Sequence, residues 1–117
     1  GDGSIIMHMG SLTTNGNIKG INMRHILFNN GAHESVGGQP TTAHNFSIAN
    51  IVKNIGYDNI FSATNESQLK KAIAKIKKLK GTSFLEIMIS NGTRKDLSRP
   101  QSTPLDNKKL LMDFLQK

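Results

Sequence analysis

Two short polar motifs, Gly1-Asp2-Gly3 and Asn29-Asn30, are separated by 25 residues and together carry the groups that a divalent cation and a phosphate need. A carboxylate and an amide oxygen are hard ligands, the type that Mg²⁺ and Ca²⁺ prefer. Glycines beside them let backbone N–H groups approach phosphate oxygens without interference from a Cβ. Gly-Asp-Gly alone also makes ordinary turns. The second motif, at the end of the apolar run 23–28, is what gives the first a chemical meaning.

Other chemistries find less support. The chain has no cysteine, which removes disulfides, thiolate metal sites and a cysteine nucleophile. His8, His25 and His44 form no HxH or HxxxH pair, so a zinc motif is missing. His8 and His44 read as surface or capping residues, and His25, inside an apolar run, as a satisfied half-buried histidine. Arg94 and Arg99 are able to reach an anion, or to pair structurally with Asp96 or a helix end. Met7, Met9 and Met88 read as core filler. The net charge of +7 raises the question of nucleic acid, but six of the twelve lysines lie between Lys70 and Lys80. The apolar residues Leu69, Ala72, Ile73, Ile76 and Leu79 in that stretch are helically spaced, which makes the lysines a solvated helix face. No aromatic platform for stacking bases accompanies them.

The elements that must position the two motifs follow from periodicity and turn chemistry. Ile5, Met9 and Leu12 predict a helix over about residues 7–17, and residues 23–28 read as a buried parallel strand. Residues 29–41 form a glycine-rich polar loop too long for a simple connector, and so a functional one. Thr41 or Thr42 is expected to cap a helix running to about residue 54, with Phe46 on its buried side. A short strand within 57–62 precedes the lysine-rich helix, capped by Thr64 or Asn65 and stopped by Gly81. Residues 83–89 are the strongest strand, and Pro104 opens a last helix with Leu105, Leu110, Leu111, Phe114 and Leu115 on one side. Alternating helices and strands predict a three-layer α/β/α domain with a mostly parallel sheet. The 117 residues suit one domain, with no uninterrupted apolar stretch long enough to span a bilayer, no secretory leader pattern, and a cytoplasmic default.

The motifs as a set resemble those of thiamine-diphosphate-dependent enzymes, in which GDG and a downstream NN hold a divalent metal and a diphosphate. GDGSIIMHMGSL, HILFNNGAHESVGGQPT and ISNGTRKDLSRPQSTP narrow the likeness to the phosphonopyruvate decarboxylases, over nearly the whole chain. The sulfopyruvate decarboxylases, whose domains can be separate subunits, carry a similar GGQPT stretch. The resemblance implies the diphosphate-binding (PP-type) domain over residues 1–117, beginning on the motif itself. On this reading, the strand that family members place before GDG and the pyrimidine-binding domain lie outside the chain.

Carried over residue by residue, the resemblance makes Asp2, Asn30 and the Ala32 carbonyl the protein ligands of Mg²⁺. Gly1, Gly3 and Ser4 then bind the cofactor diphosphate. His33, Glu34, Ser35 and Gln39 are candidates for reading the substrate headgroup or closing the loop, His33 and Glu34 alternatively pairing with each other. The implied reaction converts 3-phosphonopyruvate, a 2-oxo acid bearing a phosphonate, to phosphonoacetaldehyde and CO₂, the thiamine diphosphate acting as electron sink. No catalytic residue is expected here, because the activating glutamate belongs to the pyrimidine-binding domain of the same or a neighbouring subunit. The 117 residues alone are therefore expected to be inactive, and the working form a homo-oligomer engaging neither nucleic acid nor membrane. Two alternatives are a sulfopyruvate decarboxylase beta-type subunit and a non-catalytic basic binding domain that retains the fold.

Overall fold

The computed structural model describes residues 1–116. Five helices and five strands follow in the order α1 (Asp2–Met7), α2 (Ser11–Asn17), β1 (Arg24–Asn29), β2 (Ala32–His33), β3 (Gln39–Pro40), α3 (Ile48–Asn54), β4 (Asn59–Ala63), α4 (Glu66–Ile76), β5 (Ser83–Met88) and α5 (Pro104–Leu115). β1, β5 and β4 form a parallel sheet in that spatial order, while β2 and β3 make a small antiparallel pair inside the long loop.

β5 is the middle strand, and Ser83 to Ile87 are all buried, as expected where both faces of a parallel strand are covered. Its side chains alternate between two cores. Phe84 joins Leu12, Leu27, Ile48, Val52 and Tyr57 on the side of α2 and α3. Leu85 and Ile87 join Ala63, Ala72 and Ile76 on the side of α4. Helices thus cover both faces of the sheet, which is the three-layer α/β/α arrangement expected. Among the described residues no helix is long and apolar enough to cross a membrane.

Several elements depart from their sequence-based outlines. The single helix expected over residues 7–17 is two short ones, and the first begins at Asp2 itself. The break falls at residues 8–10, where Ser11 and Leu12 N–H groups donate to the carbonyls of His8 and Met9. Gly10, which costs a helix about 1 kcal/mol relative to alanine, sits at the junction. Met7 is 68% exposed rather than core filler. Neither Thr41 nor Thr42 caps α3; residues 43–45 make one 3-10 turn, Phe46 is extended and exposed, and Ser47 Oγ accepts the Asn50 N–H at 3.2 Å. α4 is capped by Asn65, whose side chain accepts from the Gln68 N–H at 3.0 Å. It ends at Ile76, short of Gly81. α5 begins with a capping box between Thr103 and Asp106 after which Pro104 opens the helix, but every described residue of it is exposed. It owes its form to local capping.

α4 packs over β4 and β5 but leaves β1 bare on that face, so Ile26 and Phe28 remain about half exposed. On the other face Leu27 and Asn29 are fully covered. β1, at the edge of the sheet, therefore carries its buried end, Asn29, directly into the glycine-rich loop.

His25 is half-buried as expected, with Nδ1 3.0 Å from the Tyr57 hydroxyl and its ring edge-on to Phe84 at 5.0 Å. Burial lowers its pKa from the ordinary 6.5, because the imidazolium loses water. The unfolded chain then binds a proton below pH 6.5 that the folded chain does not, so stability is lost as pH falls through that value toward the folded one. A His25→Gln variant is expected to show a shallower decline in thermal midpoint over this window; an unchanged slope would remove His25 as its source. Phe84→Ala is expected to lower the unfolding free energy by about 3–5 kcal/mol in denaturant titration. Phe114→Ala, at an exposed position of α5, should change it by less than about 0.5 kcal/mol.

Candidate functional site

The two motifs meet at the carboxyl end of β1. The Asp2 side chain is 1% exposed and is held at both oxygens. Oδ1 accepts the Asn30 backbone N–H at 3.3 Å, and Oδ2 accepts the Thr41 hydroxyl at 2.5 Å. Residues 2, 30 and 41 thus converge on one carboxylate. Burying a carboxyl group without such partners would be costly, and these bonds supply them.

Asn30 heads a turn in which its Oδ1 accepts the Ala32 N–H at 3.2 Å and its Nδ2 donates to Glu34 at 2.9 Å. With the amide nitrogen committed to a carboxylate, Oδ1 is presented on the opposite side. Gly31 carries φ +66, and a Cβ there would collide with His44 Nε2, so this corner needs glycine on two counts. The Thr41 N–H donates to the Gly31 carbonyl at 2.8 Å, closing the loop back on its own start.

Gly1, Asp2, Gly3, Ser4, Asn30 and Ala32 share one cavity of about 330 Å³. His33, Glu34 and Ser35 extend it on the loop side, and Met7, Phe28, Val36 and Ile89 supply its apolar wall. His33 does not pair with Glu34. Its ring lies over Gly3, where a Cβ would sit 2.5 Å from Nδ1, which explains glycine at that position. Glu34 instead links Asn30 to the Gly92 N–H, which it accepts at 2.5 Å. Gln39 pairs with His33 across β2 and β3 and does not line the cavity. Arg94 and Arg99 border a separate cavity of about 430 Å³. Arg94 is engaged by Asp96 at 3.0 and 3.1 Å, and this guanidinium holds the Asp96 carboxyl below its usual range.

The donor set suits a hard cation next to a diphosphate. It offers one buried carboxylate and one amide oxygen beside Ala32, with glycines keeping the approach to the backbone open. Among the described residues no cluster of three or more histidine, cysteine, aspartate or glutamate side chains could hold a metal. Thr41 escaped sequence reasoning, which assigned it to a helix cap. Its place beside Pro40 in a loop returning to Asp2 has no local signature.

Residues 1–87 match the family model described as thiamine pyrophosphate enzyme, C-terminal TPP binding domain. The chain is 32% identical over 106 residues to the phosphonopyruvate decarboxylase of Streptomyces viridochromogenes, covering 91% of this chain and 27% of that one. It is 28% identical over 114 residues to the phosphonopyruvate decarboxylase of Streptomyces hygroscopicus, covering 97% of this chain and 28% of the relative. It is 36% identical over 88 residues to the sulfopyruvate decarboxylase subunit beta of Methanocaldococcus jannaschii, covering 64% and 47% respectively. The chain therefore spans about a quarter of the length of the two phosphonopyruvate decarboxylases.

Thr41→Val keeps the side-chain shape and deletes both hydrogen bonds of the hydroxyl, the one donated to the buried Asp2 carboxylate and the one accepted from the Ala43 N–H. Unfolding in denaturant should register a loss of about 1.5–3 kcal/mol, against less than about 0.5 kcal/mol for Thr42→Val at the exposed neighbouring position. Equal losses at the two positions would show that the Thr41 hydroxyl adds nothing.

Proposed function

The chain belongs to the thiamine pyrophosphate enzyme family, as a C-terminal TPP-binding domain, and on that premise we propose that its cavity holds the metal and diphosphate of the cofactor in a 3-phosphonopyruvate decarboxylase. The observation that carries this reading is the convergence of Asp2, Asn30 and Ala32 in the lining of one cavity, with the Asp2 carboxylate buried and both its oxygens oriented by protein donors. In this proposal Asp2, the Asn30 side-chain oxygen and the Ala32 carbonyl hold Mg²⁺. Gly3 and Ser4 face the diphosphate, supported by the first turn of α1, whose N–H groups have no acceptor within the helix.

Bound thiamine diphosphate supplies the electron sink for breaking the bond to a 2-oxo acid's carboxylate, yielding CO₂ and an aldehyde. The chain's own residues bind and orient. Asp2 and Asn30 set the metal's position, Gly3 leaves room for His33, and Met7, Phe28 and Ile89 supply an apolar wall. His33 and Ser35 line the loop side of the same cavity, and in this proposal they donate to a phosphonate headgroup. Gln39 belongs to this proposal only as a loop-shaping residue. The pyrimidine-binding half, with the activating glutamate, comes from another domain of the enzyme or from a neighbouring subunit of a homo-oligomer. The phosphonate reading is favoured over the sulfonate one by the matches that cover nine-tenths or more of this chain.

Isothermal titration with thiamine diphosphate is expected to give Mg²⁺-dependent binding that Asp2→Ala abolishes. Binding that persists unchanged in Asp2→Ala would overturn the metal assignment. In the complete enzyme carrying this domain, phosphonopyruvate should be turned over in preference to sulfopyruvate. The reverse preference would transfer the site to a sulfonate substrate.

A further inference from the structure

One acidic side chain lies deep in the domain and has no part in the clamp just described. Glu86 projects from the middle of β5 onto the face that otherwise holds Phe84, Leu27, Ile48 and Val52. It is 6% exposed. A carboxylate buried in such a setting needs a purpose that offsets its lost hydration. Its hydrogen-bond partner is Asn29, whose Nδ2 donates to Oε1 at 2.8 Å. The register explains the meeting, since Glu86 lies opposite Leu27, two residues before Asn29 on the same face of β1.

Asn29 is itself 1% exposed, and its other amide atom is also committed: Oδ1 accepts the Gly31 N–H at 3.1 Å. Glu86 Oε1 accepts from the amide nitrogen, and that bond selects which end of the Asn29 amide faces it. The oxygen is thereby forced toward Gly31. Gly31 is the corner of the turn, at φ +66 and against His44, and it stands between Asn30 and Ala32. The chain of contacts therefore runs from β5, through the first asparagine of the pair, to the backbone that carries the second.

We infer that Glu86 and Asn29 are positioning residues for the metal–diphosphate turn: the Glu86 carboxylate orients the Asn29 amide, and Asn29 holds Gly31 so that Asn30 and Ala32 face Asp2. Neither side chain touches the metal. Glu86 is not among the residues lining the cavity of Asp2; it borders a separate cavity of about 280 Å³ near His44 and Ser47. The inference rests on the metal–diphosphate reading of the Asp2 cavity, but its geometric half belongs to the protein without cofactor.

The test is a donor–acceptor exchange in the complete enzyme. Asn29→Asp alone brings two carboxylates together, and Glu86→Ala removes the acceptor. Each should weaken Mg²⁺-dependent thiamine diphosphate binding by about 10- to 100-fold, the range for groups that orient metal ligands. The double variant Asn29→Asp with Glu86→Gln restores complementarity with the donor on the other strand, leaving one oxygen of the introduced carboxylate for Gly31. It should recover most of the lost affinity, whereas a general packing defect would accumulate. In the cofactor-free protein, amide exchange at Gly31 should be faster in both single variants and slowed again in the double. Unchanged affinity and Gly31 exchange in Glu86→Ala, or a double variant no better than Asn29→Asp, would overturn the inference. Should Asn29→Asp fail to fold, Glu86→Ala and its Gly31 exchange decide the matter. If the parent shows no Mg²⁺-dependent binding, it is the cofactor reading that fails, while Gly31 exchange still reports on the Glu86–Asn29 contact.

Discussion

A buried carboxylate at the second residue of the chain is the constraint around which the loop is organised. Asp2 draws in the Asn30 N–H from the end of β1 and the Thr41 hydroxyl from the far end of the glycine-rich loop. Once those groups are committed, the loop has little freedom, because its start and finish are tied to one side chain and to each other through Gly31 and Thr41. Such a carboxylate cannot be left half-paired in a low-dielectric setting, so its environment is specified more strictly than any apolar contact would require. The same strictness is useful chemically, since oxygens already oriented need no rearrangement to meet a cation.

The sheet supplies the rigidity beneath this clamp. β5, covered on both faces, is the stiff central element, and β1 is registered to it from Arg24 to Asn29. Leu27 and Phe84 anchor the face on which Asn29 and Glu86 meet. In parallel α/β sheets ligands bind beyond the carboxyl ends of the strands, where loops are free to diverge while their roots stay fixed. The cavity at Asp2 follows that rule. The regions far from it are built differently: α5 is capped well at its start yet buries none of its apolar residues against the described domain.

The comparison of expectation with structure divides along the range of the forces involved. Local signals were read well. Asn65 caps α4, Pro104 opens α5, and the apolar run of residues 83–88 is the central strand. His25 is half-buried beside a hydroxyl, and Arg94 takes Asp96 as its partner. The misreadings came where a distant group overrode a local preference. Thr41 has the side chain of a helix cap, but its hydroxyl donates to a buried carboxylate 39 positions away while accepting the Ala43 N–H, and the cap of α3 falls to Ser47. Glu34 sits next to His33 in sequence, yet the turn aims it at Asn30 and Gly92.

By itself, the sequence determined the kind of chemistry and the kind of fold. Asp2, Asn30 and the glycines around them are residue types whose oxygens and backbone freedom suit a hard cation and a phosphate, and alternating helical and strand periods dictate a layered α/β domain. Tertiary structure alone decided which groups hold those residues in place. Thr41 on Asp2, His33 over Gly3 and Glu86 behind Asn29 are contacts between residues 30 to 57 positions apart. No local propensity encodes such contacts, because they arise only when strand register and loop closure bring buried polar groups within hydrogen-bonding reach, where each must find a partner.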